Sequence, residues 1–127
     1  MNVVDSSGWL EYFAEGPNAD FFASAIETKR DLLIPVISIY EVFKRVLQQK
    51  GEDDALQAVA QMLQGQVIDL DTTLALQAAK TSAESRLPMA DSIILTTARA
   101  YKALLWTQDE HFEGLEGVRY IEKPVVS

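Results

Sequence analysis

"LLIPVISIYEVFKRVLQQKG", residues 32–51, changes its hydrophobic period part-way along. Leu32 to Val36 are apolar without alternation, the pattern of a strand buried on both faces. From Ser38 the apolar positions recur at helical spacing until Gly51, a residue type that closes helices. A doubly buried strand followed at once by a helix belongs to a parallel sheet with helices packed above and below it. The segments on either side repeat that alternation.

Before it, "NVVD" (2–5) is a short β-branched run, and "SSGWLEYFAEG" (6–16) carries Trp9, Leu10, Tyr12 and Phe13 at helical spacing up to Gly16-Pro17. "NADFFASAIETKR" (18–30) is a further helix, with Asn18 as a cap and Phe21, Phe22, Ala25 and Ile26 on one face. After it come a helix in "EDDALQAVAQMLQ" (52–64), a strand in "VIDL" (67–70) and a helix in "TTLALQAAKTSAESR" (72–86). Another helix starts at or just after Pro88 in "RLPMADSIILTTAR" (86–99). The strand "ALLWT" (103–107), a helical turn near "DEHF" and a last strand "VRYIE" (118–122) complete the series. The expected fold class is α/β, with a central parallel sheet of about five strands, right-handed crossovers and helices on both faces.

Composition narrows the function. A chain of 127 residues fits a single domain, 1–127, and its 48% hydrophobic content excludes a disordered chain. The longest apolar stretch, "LLIPVISIY", is interrupted by Pro35 and too short to span a bilayer, so no membrane association is expected. The first residues lack a basic segment followed by an apolar one, and there is no cysteine, so no secretory signal, disulfide or thiolate metal site is expected and the setting is cytoplasmic. A formal net charge of -8 argues against holding nucleic acid through a broad basic surface.

Ligands of open parallel sheets gather at the carboxyl ends of the strands. Four acids belong at that edge. Asp5 closes the first strand, Glu41 lies in the first turn of the helix after the second, Asp91 in the first turn of the helix before the fourth, and Asp109 just beyond the fourth. Each alone has a plain structural reading: Ser38-x-x-Glu41 is a capping box, Thr107-x-x-Glu110 could be another, and Asp5 and Asp91 suit helix starts. Together, four carboxylates converging on one edge repel each other and raise their own pKa values unless a cation lies between them. Oxygen ligands without cysteine, and with a single histidine, point to Mg²⁺ or Mn²⁺ rather than zinc. Hydroxyls at Ser6, Ser38 and Thr107 stand near enough in sequence to orient such ligands, or to cap helices.

The contexts of this quartet, "VVDSSGWLEYF", "PVISIYEV", "LPMADSIILTTAR" and "LLWTQDEHFEGLEGV", resemble those of PIN-domain ribonucleases, and specifically the VapC toxins of toxin–antitoxin pairs. The resemblance runs from the first strand to the last. It implies an Mg²⁺- or Mn²⁺-dependent endoribonuclease acting on RNA, a homodimer, and a VapB-type antitoxin that covers the acidic site. It also implies that Asp5, Glu41, Asp91 and Asp109 are the metal-binding, catalytic carboxylates, supported by Ser6 and Thr107.

Basic residues at the rim offer phosphate contacts. Lys44 and Arg45 share the helical face of Glu41, where they could equally pair with it, and Arg86 precedes the Asp91 helix. The aromatics Trp9, Tyr12, Phe13, Phe21 and Phe22 suit a core, with a groove for an antitoxin segment as the other reading. His111 reads as a surface or capping residue. Two further functions stay open: a receiver-like phosphoacceptor module, echoed by Thr107 and by "EKP" at 122–124, and a catalytically silent PIN fold that only binds.

Overall fold

The computed structural model describes residues 1–125. Five strands, β1 (Asn2–Val4), β2 (Leu32–Pro35), β3 (Gln66–Ile68), β4 (Leu104–Thr107) and β5 (Val118–Tyr120), form one sheet in the order β3-β2-β1-β4-β5. Every neighbouring pair is parallel; Val3 stands opposite both Leu33 and Leu105. Six helices surround the sheet: α1 (Ser6–Phe13), α2 (Ala19–Ile26), α3 (Val36–Lys50), α4 (Glu52–Met62), α5 (Thr72–Ser85) and α6 (Met89–Ala100).

Strand alternation divides the core into two layers. Val4, Leu32, Ile34 and Trp106 face one side, where they meet Trp9, Phe22, Val42, Ala58 and Met62 from α1 to α4. Val3, Leu33, Ile68 and Leu105 face the other, against Leu74 of α5, Ile94, Leu95 and Ala98 of α6, and Phe112. Both faces are apolar because both are covered, which is why "LLIP" is buried at all four positions. Ser92 to Ala98 are buried without interruption, so α6 is enclosed on all sides rather than amphipathic. Gly8 lets α1 lie close on this core: a Cβ there would stand 2.6 Å from the Phe22 ring and 2.7 Å from Val4 Cγ1.

The strand order overturns the receiver-like alternative, since doubly wound receiver sheets run 2-1-3-4-5. Here the chain moves from β1 outward through β2 and β3, then crosses to the far side of β1 for β4 and β5. The order therefore reverses between β1 and β4, and their carboxyl ends, at Asp5 and Thr107, flank the crevice.

One boundary matters for the site. Helix α3 begins at Val36, three residues earlier than the Ser38 capping box requires, with Pro35 as its N-cap and no side-chain cap bond. Burying Val42 and Val46 on the core draws Val36 and Ile37 into the helix despite their β-branching. Ser38 is thus fully buried inside the helix, its Oγ without a hydrogen-bond partner among the described residues, and Glu41 falls in the second turn. No helix among the described residues is long and apolar enough to cross a membrane.

Candidate metal centre

Asp5 leaves the end of β1 as the N-cap of α1, its carboxylate accepting the Gly8 N–H at 3.2 Å and the Ser7 hydroxyl at 2.7 Å. Asp91 is the third residue of α6, which runs against the strands and so brings its first turn to their carboxyl edge. Asp109 follows β4 and caps a short 3₁₀ turn, Glu110–Phe112, by accepting the His111 N–H at 2.9 Å, while its own N–H donates to Thr107 Oγ1. Glu41 reaches across from α3 and accepts the Ser6 hydroxyl at 2.6 Å.

All four carboxylates line one open cleft of about 500 Å³, together with Ser6 and Ser7. Two of them, Asp5 and Asp91, are electrostatically strained. Asp5 is 2% exposed, and burial pushes its carboxyl up to about 6, although hydrogen bonds from Ser7, Gly8 and Thr107 pull the other way. Burial also pushes Asp91 up, to about 7, with the Asp109 charge, a hydrogen bond to Asp109 and the Asp5 charge adding to it and His111 opposing. Acids that resist ionisation beside one another are a set lacking its counter-charge. Oxygen donors on rigid elements around an open cleft fit a hard divalent cation, with room left for waters or a phosphate.

Lys44 and Arg45 line the same cleft from α3, Lys44 lying 5.8 Å from the centroid of the Tyr40 ring. Neither forms an ion pair with Glu41 among the described residues. Arg86 is elsewhere: it closes α5 in a left-handed conformation, φ 56°, and does not line the cleft. The expectation that it joins the phosphate contacts therefore has no support in this geometry, because the turn into Leu87 and Pro88 separates it from the carboxylate at Asp91.

Two residues of the site escape the sequence reading. Ser7 holds Asp5, and its signal was the second hydroxyl of "DSS", two positions past a helix cap. His111 is no bystander: its Nδ1 lies 2.8 Å from Asp109 Oδ1 and 3.3 Å from Asp91 Oδ2. Its spacing from Asp109 was visible, but Asp91 is brought to it only by the fold. Thr107 is likewise assigned differently from its capping-box reading, since Asp109 rather than Thr107 caps the turn.

The aromatic set is mostly core. Trp9 and Phe22 are buried, and Tyr12, Phe13 and Phe21 pack partly exposed against the same cluster. Beside them, Leu10 and Phe13 of α1 face Val46 of α3 and Ala58 of α4 across a second groove of about 570 Å³. Ser7, Leu10 and Arg45 line both this groove and the acidic cleft, so the two are continuous.

A parallel sheet reversing between β1 and β4, with carboxylates collected at the reversal, defines an α/β protein with an acidic site suited to a divalent cation. Residues 3–118 match the PIN domain family model, and the chain belongs to that family. No curated protein matches it in sequence. Among solved structures it is similar to a toxin–antitoxin complex from Klebsiella pneumoniae, with 22% identity, 94% of this chain and 96% of that one covered, and a TM-score of 0.77. It is also similar to the sarcin–ricin-loop-cleaving VapC toxin of Mycobacterium tuberculosis (16% identity, 91% and 95% covered, TM-score 0.75). DNA-bound VapBC from Salmonella typhimurium gives 16% identity, 96% and 97% covered, and a TM-score of 0.74.

Proposed function

We propose that this chain, acting as one domain, is a divalent-cation-dependent endoribonuclease of the VapC toxin type, restrained by a VapB-type antitoxin. The observation that carries this reading is the convergence of Asp5, Glu41, Asp91 and Asp109 on one cleft, with Asp5 and Asp91 held up to about 6 and about 7.

Asp5 and Asp91 would be the most direct ligands for Mg²⁺ or Mn²⁺, with Glu41 and Asp109 holding it through water or orienting the attacking water. A cation held there would supply a water of lowered pKa and a positive charge opposite the phosphodiester. The protein supplies alignment and proton control. Ser7 and Thr107 hold Asp5, and Ser6 fixes the Glu41 carboxylate by donating to Oε1. Asp91 gives up the proton that burial and the neighbouring Asp109 charge favour on it. Lys44 and Arg45 meet flanking phosphates on the α3 wall, which lets a chain of net charge -8 accept a polyanion locally.

The antitoxin reading rests on the groove between α1 and the α3–α4 pair, whose continuity with the acidic cleft would let one bound segment fill the first and reach the second. Relatives of the same fold are toxin–antitoxin assemblies, which supports a partner of that kind here. We assign a homodimer and a cytoplasmic setting as parts of the same proposal.

The test is cleavage of a mixed pool of structured and single-stranded RNAs by antitoxin-free protein with Mg²⁺, Mn²⁺ or EDTA, beside an Asp91→Asn control. Cation-dependent cutting that disappears in the control supports the nuclease. Cation binding without cutting of any RNA would favour a silent PIN fold that only binds.

A further inference from the structure

His111 is the only histidine in the chain, and the fold brings it to a place where carboxylates from two separate elements meet. The 3₁₀ turn that follows β4 is pinned when the His111 N–H donates to Asp109, and this carries the ring toward the start of α6. There its Nδ1 lies 2.8 Å from Asp109 Oδ1 and 3.3 Å from Asp91 Oδ2. One donor atom from each of Asp91, Asp109 and His111 lies within 4.8 Å of the others. Ligands about 2.1 Å from a common ion stand no more than about 4.2 Å apart, so a small contraction would place all three around one cation.

We propose that His111 Nδ1 is a nitrogen ligand of the divalent cation, joining Asp91 and Asp109. The inference rests on the nuclease reading above, makes Asp109 a direct ligand in place of a water-mediated one, and gives the site a mixed nitrogen and oxygen donor set instead of an all-carboxylate one. The chemical consequence is selectivity. Mg²⁺ prefers oxygen donors, whereas Mn²⁺ and the later first-row ions accept imidazole, so His111 tilts the site away from Mg²⁺. The competing role is a staple, in which the imidazole only bridges two carboxylates and leaves when a cation enters.

Pulsed EPR on the Mn²⁺-loaded, tag-free protein separates these roles. With one histidine in the chain, incorporation of histidine carrying ¹⁵N in the ring labels a single imidazole without altering the fold. The expected result is a ¹⁴N modulation on Mn²⁺ that is replaced by the ¹⁵N pattern on labelling and is lost in H111Q. That variant should also bind Mn²⁺ about tenfold or more weakly while its Mg²⁺ affinity changes less. Mn²⁺ binding that depends on Asp91 but shows no ring-nitrogen coupling would overturn the ligand role and leave the nuclease reading intact. Absence of any Asp91-dependent Mn²⁺ binding would overturn both.

Discussion

Ser6 Oγ and Glu41 Oε1 lie 2.6 Å apart, although 35 residues separate them in the chain. This bond ties the first turn of α1 to the second turn of α3 within the cleft lining, and it sets the direction of the one glutamate in the quartet. Ser6→Ala should leave the fold intact, because Ser6 is only partly buried, and should reduce cleavage by about tenfold through a misdirected Glu41. Steady-state rates with saturating Mn²⁺ check this; an unchanged rate would make the bond a structural accessory.

Ionised Asp5 and Asp91 oppose folding when no cation is bound. Asp5→Asn preserves the α1 cap, since asparagine caps as well as aspartate, and removes a buried charge. In EDTA near pH 8 both Asp5→Asn and Asp91→Asn should raise the denaturation midpoint, while each lowers cleavage by at least about 100-fold, the scale of losing charge stabilisation at the phosphate. A variant less stable than the parent under those conditions would contradict the electrostatic account.

Stability without cation should fall as pH rises. Asp5 and Asp91 are raised in the folded state from 3.8 to about 6 and about 7, so between roughly pH 4 and 7 the folded chain binds more protons than the unfolded one. The loss should reach at most about 1.4 kcal/mol per pH unit for each group and stop above that window. Cation affinity should move oppositely, rising with pH through about 6 to 7 as the protons leave. Urea melts in EDTA and Mn²⁺ titrations across this range test both signs together.

The α3 wall should account for the salt dependence of RNA binding. Replacing Lys44 and Arg45 with alanine should lower the slope of log affinity against log salt by about 0.7 for each single-strand phosphate that is no longer neutralised. Arg86→Ala should leave that slope unchanged, because Arg86 does not line the cleft. Equal effects at all three positions would indicate a diffuse electrostatic attraction in place of a track along α3.

Gly8 links the core to the site. Gly8→Ala drives a methyl against Phe22 and Val4, both fully buried, and should destabilise the chain by about 1–3 kcal/mol. Since the Gly8 N–H also holds Asp5, cation affinity should weaken with it. Denaturant melts and Mn²⁺ titration of the same variant measure the two effects.

The residue pattern alone determined much of this protein. Uninterrupted apolar runs such as "LLIP" declare burial on both faces, helical spacing in α1 to α4 declares the layer they form, and the positions of Asp5, Asp91 and Asp109 relative to strand ends assign them to one edge. These features are local, because burial leaves its mark on each residue in turn. Which strands are neighbours is not local: the same alternation is compatible with either strand order, and only pairing of β1 with both β2 and β4 excluded the receiver sheet. Ser38 entered α3 because packing of Val42 and Val46 extended the helix past its capping signal. Arg86 and His111 were decided the same way. Each is polar and near a site residue in sequence, yet the turn after α5 keeps one out of the cleft while the turn after β4 carries the other to Asp91, a carboxylate on a different helix. Chain spacing fixes the face on which a side chain lies, but distances between faces of different elements exist only once the core has packed.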